Sequence, residues 1–222
     1  IQFTGVNEIA VNTSKPVDEI GPTQMLFAVE ACGICFSDTK LLNAFDSHPR
    51  KAEVVSGMDL DALADIPSYV PGDKPVVPGH EPVGRIVAAG SEVKNYQVGD
   101  RLLMQADWKH LRTPKSNAAF GYNFEGALQE YVVIDERCVV SEAGEEYLIR
   151  VSEAPSAAAI GLIEPWATVE GSYAWAERNH VADDGRLLVV STKETQAQID
   201  AMKGGDKERL AAVRLILAKL KV

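Results

Sequence analysis

Short apolar runs, each cut off by glycine, proline or aspartate, follow one another through the first 150 residues, and this punctuation limits the fold more than any other feature. Residues 1–6 and 9–13 are rich in β-branched side chains, and residues 24–30 alternate apolar and polar positions with the period of a strand. Pro78 opens a turn that leads into an apolar run over residues 83–88, closed by Ala89-Gly90-Ser91. Val98-Gly99-Asp100 is a second tight turn, which launches residues 101–105, and Gly126 precedes a further strand over 128–134. Short strands separated by such turns predict an antiparallel, barrel-like domain, mainly β with some α.

The character changes near Ser152. Ser152-Glu153-Ala154-Pro155 is a helix-start signal ahead of the alanine-rich stretch 156–162, and residues 164–178 read as a second helix. Residues 186–190 read as a short buried strand. Residues 207–222 carry Leu210, Val213, Leu217 and Leu220 at helical spacing, although their alternation also fits a strand. The expected organisation is one domain over residues 1–165 and a short helical segment over 166–222.

With 46% hydrophobic and 24% charged residues, the chain can bury a real core. Its net charge of −10 repels phosphate backbones and anionic bilayers, so neither nucleic acid nor membrane is an expected partner. There is no apolar run long enough to cross a bilayer and no signal-peptide pattern. Three cysteines, Cys32, Cys35 and Cys138, cannot form a disulfide framework for 222 residues, so a reduced cytoplasmic protein is expected.

Chemistry concentrates in three stretches. Ala31-Cys32-Gly33-Ile34-Cys35-Phe36-Ser37-Asp38 contains a Cys-x-x-Cys pair with three readings: half of a zinc ribbon, a redox pair, or one functional and one packed cysteine. A ribbon needs a second cysteine pair and a thioredoxin-type pair needs a βαβ unit, so the third reading leads. Pro78-Gly79-His80-Glu81-Pro82-Val83-Gly84 places an imidazole and a carboxylate on a rigid turn that can aim both at one point. Taken alone, His80 reads as an ordinary surface or core residue. Gly161-Leu162-Ile163-Glu164-Pro165-Trp166 offers a further acid at a helix start, where Glu164 also suits the helix dipole. Thiolate, imidazole and carboxylate together satisfy Zn²⁺, and three protein ligands with a fourth position open mark a catalytic rather than a structural site.

These stretches, in this order, resemble the zinc-dependent medium-chain dehydrogenase/reductase family. The Cys35-Phe36-Ser37-Asp38 and Gly79-His80-Glu81 segments, with Val98-Gly99-Asp100-Arg101, are similar to its two zinc-ligand motifs. Gln105-Ala106-Asp107, Ala119-Phe120-Gly121-Tyr122, residues 126–131 and Ile134-Asp135-Glu136-Arg137 are similar to the sorbose-1-phosphate-reductase-like branch. The resemblance spans roughly residues 1–190. It implies a GroES-like β-barrel catalytic domain and a small alcohol or polyol substrate, a sugar or sugar phosphate included; a homo-oligomer is compatible with the sequence, which does not fix the oligomeric state. It also implies hydride exchange with NAD(P). By match, Cys35 and His80 hold zinc, and Glu81 or Glu164 completes the set. Ser37 passes the hydroxyl proton outward and Asp38 orients a ligand. Local turn capping is the plainer role for Ser37 and Asp38.

The sequence departs from the family in three places. Residues 107–123 hold no cysteine, so a second, structural zinc is not expected. The stretch between Cys35 and His80 is long, with His48-Pro49-Arg50 and an acidic segment over 58–66 that reads as a helix near the cleft or a surface insertion. Ser191-Thr192-Lys193 follows the 186–190 strand where a Gly-x-G-x-x-Gly turn belongs, and too few residues remain for a dinucleotide-binding domain. Gly204-Gly205 reads as a turn or helix cap. That domain therefore belongs to a fuller parent protein or has been lost naturally. A zinc- or small-ligand-binding module without turnover is the competing function, and a chaperonin-10-like structural protein a third. Cys32, Cys138, His48, His110 and His180 read as packed thiols and solvated imidazoles, and Trp108, Tyr122 and Trp166 as core or pocket wall.

Overall fold

A computed structural model of the chain describes residues 1–175; the predicted elements over 186–190 and 207–222, the Gly204-Gly205 turn and His180 lie outside the described residues. The chain divides into two compact units, Ile1–Val169 and Glu170–Val222. In order, the elements are β1 (Gln2–Gly5), β2 (Glu8–Ala10), β3 (Gln24–Gly33), α1 (Phe36–Ala44), two 3₁₀ turns (Phe45–Ser47 and Pro49–Lys51), α2 (Leu60–Ala64) and β4 (Glu81–Ala89). Then come β5 (Arg101–Met104), β6 (Asp107–Arg112), β7 (Asn117–Ala119), β8 (Tyr131–Asp135), α3 (Glu136–Val139), β9 (Leu148–Arg150), α4 (Ala157–Gly161) and α5 (Ile163–Trp175). Five strands form an antiparallel sheet in the order β8-β3-β4-β5-β9, and β1-β2 and β6-β7 form separate ribbons. Among the described residues, no helix is long and apolar enough to cross a membrane.

The period-2 pattern decides what each face covers. On β5, Leu102 and Met104 join the main core with Met25, Phe27, Ile86, Trp108 and Phe120, while Leu103 faces the other way, onto Val83 and Ile160 of α4. The strand is therefore buried on both faces and reads as a continuous apolar run. On β3 the pairing shifts between Val29 and Ala31, so Glu30 is an extra residue against β4, a β-bulge. Beyond it the faces exchange: Val29 packs on the main core, but Ala31 joins the α4 side and Cys32 the main core. The bulge thus re-aims the strand end that leads to Cys35. Gly84 sits opposite Val29 in this close pairing, where a Cβ would lie 2.2 Å from the Ala28 carbonyl oxygen.

Several boundaries differ from the sequence expectation. The strand expected over 128–134 begins at Tyr131, because the backbone N–H of Leu128 is taken by Pro78 O at 3.0 Å. The helix signal at Ser152 is displaced to Ser156, whose hydroxyl accepts from Ala159 N at 3.2 Å. The guanidinium of buried Arg101 donates to the carbonyls of Ser152 and Pro155, each at 2.9 Å, and holds the intervening residues out of a helix. The β6-β7 ribbon and β9 had no counterpart in the sequence reading. The helix expected over 58–66 is the shorter α2, capped by Asp59, with Leu63 and Ile66 turned into the main core. Lys51 is wholly buried: its ammonium donates to Val70 O and to Lys74 O, and burial lowers its pKa to about 8.

Replacing Gly84 by alanine forces a Cβ into the backbone of β3, and denaturant titration is expected to show a loss of about 1–3 kcal/mol. Gly171 of α5 meets no atom within reach, so Gly171→Ala is the matched control and is expected to cost nothing.

Candidate metal centre

β3 ends at Gly33 and α1 begins at Phe36, so Cys35 stands at the helix entrance with extended backbone. The Asp38 carboxylate, three residues on, reaches back and accepts from Cys35 N at 2.9 Å, a capping arrangement that closes the first turn. Asp38 thus takes the capping role that is the plainer of its two sequence expectations. Its second oxygen lies 3.1 Å from His80 Nδ1 and 3.4 Å from Gly79 N, and the residue is 3% exposed. One carboxylate therefore ties the helix start to the Pro78-Gly79-His80 loop.

That loop is held from its other side. Gly126 N donates to Val77 O at 2.7 Å, Ala127 N to Gly79 O at 2.9 Å and Leu128 N to Pro78 O at 3.0 Å. Gly79 has φ of +95°, and a Cβ there would lie 2.8 Å from both Cys32 Sγ and Leu128 Cγ. The loop is pinned between helix start and strap, and His80 cannot swing away.

Glu81, the next residue, pairs with Gly33 across the strands. A Cβ on Gly33 would sit 2.1 Å from Glu81 Oε2, so glycine is what lets this carboxylate lie over β3. The candidate ligand atoms of Cys35, His80 and Glu81 all fall within 4.8 Å of one another. They line a cleft of about 530 Å³ whose walls include Ser37, Lys40, His48, Arg50, Tyr122 and Glu164. Ser37 Oγ stands 3.1 Å from His80 Nε2. Glu164 borders this cleft from the start of α5 but is not one of the three clustered donors.

Electrostatics separates the three cysteines. The hydrogen bond with His80 outweighs burial and lowers the Cys35 pKa. Burial pushes Cys32 up to about 12 and Cys138 well above the ordinary thiol value, which fits their reading as packed thiols. Burial alone would lower His80, but its bonds to Asp38 and Cys35 win and carry it to about 10. Burial raises Glu81, and the charge of Glu164 adds to the rise. Because the His80 pKa is raised on folding, its proton stabilises the metal-free fold fully below about pH 6.5, and that contribution is lost as the pH climbs toward 10.

Other side chains moved relative to expectation. His48 walls the cleft rather than standing free in solvent, with Arg50 beside it, and Tyr122 is pocket wall, its ring centre 5.1 Å from that of His48 and 5.5 Å from that of His80. Trp108 is core, but Trp166 is 55% exposed and outside both the core and the cleft lining. His110 is not solvated: its ring nitrogens are buried and the ring packs 5.3 Å from Tyr147.

The alcohol dehydrogenase GroES-like domain family matches residues 21–143, more than half of the chain, with Cys35, His80 and Glu81 inside the match. The chain belongs to this family. Its mainly β GroES-like domain is the fold that the resemblance implied. Alcohol dehydrogenase notN of Aspergillus sp. is 30% identical over 138 residues, 56% of this chain and 33% of that protein. Sorbitol dehydrogenase of Bombyx mori is 31% identical over 101 residues, 46% of this chain and 23% of that protein. The structure of 2R,3R-butanediol dehydrogenase from Bacillus subtilis superposes with a TM-score of 0.57 at 23% identity, over 82% of this chain and 47% of that one. The GroES-like chain thus spans a third or less of the length of these two curated relatives.

Asp38→Asn removes the acceptor that favours a protonated His80. NMR titration of the imidazole in the metal-free protein is expected to find a pKa below the wild-type value of about 10, with a loss of about 1–3 kcal/mol in stability.

Proposed function

We propose that this chain is the metal-bearing catalytic part of a zinc-dependent, NAD(P)-linked alcohol or polyol dehydrogenase, acting on a polyol, sugar or sugar phosphate. The observation that carries the reading is the clustering of a thiol, an imidazole and a carboxylate within 4.8 Å on one wall of an open cleft. This donor set fits Zn²⁺, and the cleft leaves a side open to a substrate oxygen. Cys35, His80 and Glu81 would hold the ion, and Glu164 would border it. The metal would supply a Lewis acid for that oxygen. A structural zinc and a complete nicotinamide-binding domain are not part of the proposal for this chain, whose domain runs over residues 1–165 with 166–222 as the segment leading on.

The chain's own residues supply the rest. Asp38 fixes the His80 ring by accepting from Nδ1, which turns Nε2 toward Cys35 and Ser37. Ser37, whose Oγ stands 3.1 Å from His80 Nε2, would take the hydroxyl proton of the substrate and pass it outward to solvent. Tyr122 and the β4 entrance keep that oxygen beside the donors.

Elemental analysis is expected to find one zinc per chain. Cys35→Ala should abolish it, Glu81→Gln should weaken binding at least tenfold, and Glu164→Gln should leave the stoichiometry unchanged. Loss of zinc in Glu164→Gln with retention in Glu81→Gln would reverse the assignment. Since the ion must displace protons from Cys35 and His80, zinc affinity should fall as the pH falls, and binding should release protons. In the complete parent protein, a polyol panel followed at 340 nm should show zinc-dependent nicotinamide reduction. Silence from a zinc-loaded parent would leave a binding module.

A further inference from the structure

Glu30 is the extra residue of the β3 bulge, and its side chain is held by two other strands at once. Arg101 Nε and Nη2 each lie 2.8 Å from its Oε2, and Arg85 Nε lies 2.7 Å from its Oε1. Arg85 and Arg101 are cross-strand partners on β4 and β5, so one carboxylate sits between two neighbouring guanidiniums that would otherwise repel. Charge-assisted bonds of this length are the strong ones, and Arg101 is 7% exposed, where salt and solvent screen them little.

The extra residue decides what lies beneath the Glu81 carboxylate. Val29 pairs with Gly84 and Gly33 with Glu81, and Glu30 is left out of the register. Were β3 to run on without the bulge, the same count from Val29 would bring Cys32 opposite Glu81 and turn each side chain beyond Glu30 to the other face. A Cβ on Gly33 already falls 2.1 Å from Glu81 Oε2, so a cysteine in that place would displace the carboxylate from its seat. The same guanidinium acts on the far side of Glu81. Arg101 Nη1 donates to Ser152 O and Pro155 O ahead of α4, and Gly161, the last residue of α4, abuts the Glu81 carbonyl, with a Cβ position 3.7 Å from that oxygen.

We infer that Glu30 and Arg101 are positioning residues for the third metal donor: their ion pair holds the bulge in β3, and the bulge puts Gly33 under the Glu81 carboxylate. Neither residue belongs to the clustered donors or to the cleft lining. Their role toward the metal rests on the metal reading given above; their hold on the strand register does not.

The full chain loaded with Co²⁺ in place of zinc tests this, because the visible absorption of the bound ion reports its donor set. Glu81→Gln supplies the spectrum and affinity of a site without its carboxylate. Glu30→Ala is expected to move the wild-type spectrum toward that reference and to weaken Co²⁺ binding about tenfold. Glu30→Gln, a smaller perturbation, should move both in the same direction by less. Combined with Glu81→Gln, the Glu30→Ala change should cost no further affinity, since a residue that acts through Glu81 has nothing left to position. Arg150→Gln, which breaks ion pairs with Asp100 and Glu146 in the same sheet, should change neither spectrum nor affinity. An unaltered spectrum in Glu30→Ala, or losses that add in the double variant, overturns the proposal. Cross-strand NOEs between Gly33 and Glu81 in the metal-free chain separate the two readings. They are expected in the wild type and lost in Glu30→Ala, and their persistence there overturns the proposal whatever the metal does. A wild-type chain that takes up no Co²⁺, with the NOEs lost in the variant, keeps the register device and contradicts the metal site.

Discussion

The Asp38 carboxylate is the hinge pin of this structure. Buried and surrounded by Cys35 N, Gly79 N and His80 Nδ1, it joins two pieces of chain far apart in sequence, the start of α1 and the loop before β4. A buried acceptor with three donors converging on it resists movement of any one of them, since each displaced donor would be left without a partner. Cys35 and His80 are therefore fixed relative to each other before any ligand arrives. The Gly126–Leu128 strap and the glycine at position 79 complete the clamp from the far side.

Glu81 enters by a different route, through strand register. The bulge at Glu30 turns the last residues of β3 and brings Gly33 opposite Glu81, where the missing Cβ leaves room for the carboxylate. Glu30 is itself held by Arg101, at 2.8 Å from both Nε and Nη2, and Arg101 also fastens the segment that precedes α4. The geometry of the third donor thus depends on sheet pairing, and that of the first two on a side-chain clamp. Their convergence within 4.8 Å joins the two systems.

Much of this was legible in the chain. Met25, Phe27 and Val29 alternate cleanly because one face of β3 covers the main core, and the turns at Gly90 and Gly99 mark where β4 ends and β5 begins. Cys35, His80 and Glu81 stand out as a thiol, an imidazole and a carboxylate, whereas Ser37 and Asp38 are singled out only through the family resemblance. What stayed hidden was tertiary. The register of β6 on β7 slips between Trp108 and Arg112, which breaks the alternation that would have revealed the ribbon. Arg101 overrides the helix signal at Ser152 from a distant strand. Nothing local places His48 and Arg50 in the cleft; two 3₁₀ turns and the buried Lys51 ammonium fold that stretch back on itself. The proposed preference for Glu81 over Glu164 likewise rests on the pairing with Gly33.

X-ray absorption at the zinc edge tests the central claim most directly, because it counts sulfur neighbours. A Cys35-His80-Glu81 site gives a single sulfur at about 2.3 Å, with the remaining neighbours nitrogen and oxygen at about 2.0–2.2 Å, and loses the sulfur shell in Cys35→Ala. A zinc shell with no sulfur, or with two or more, would contradict it.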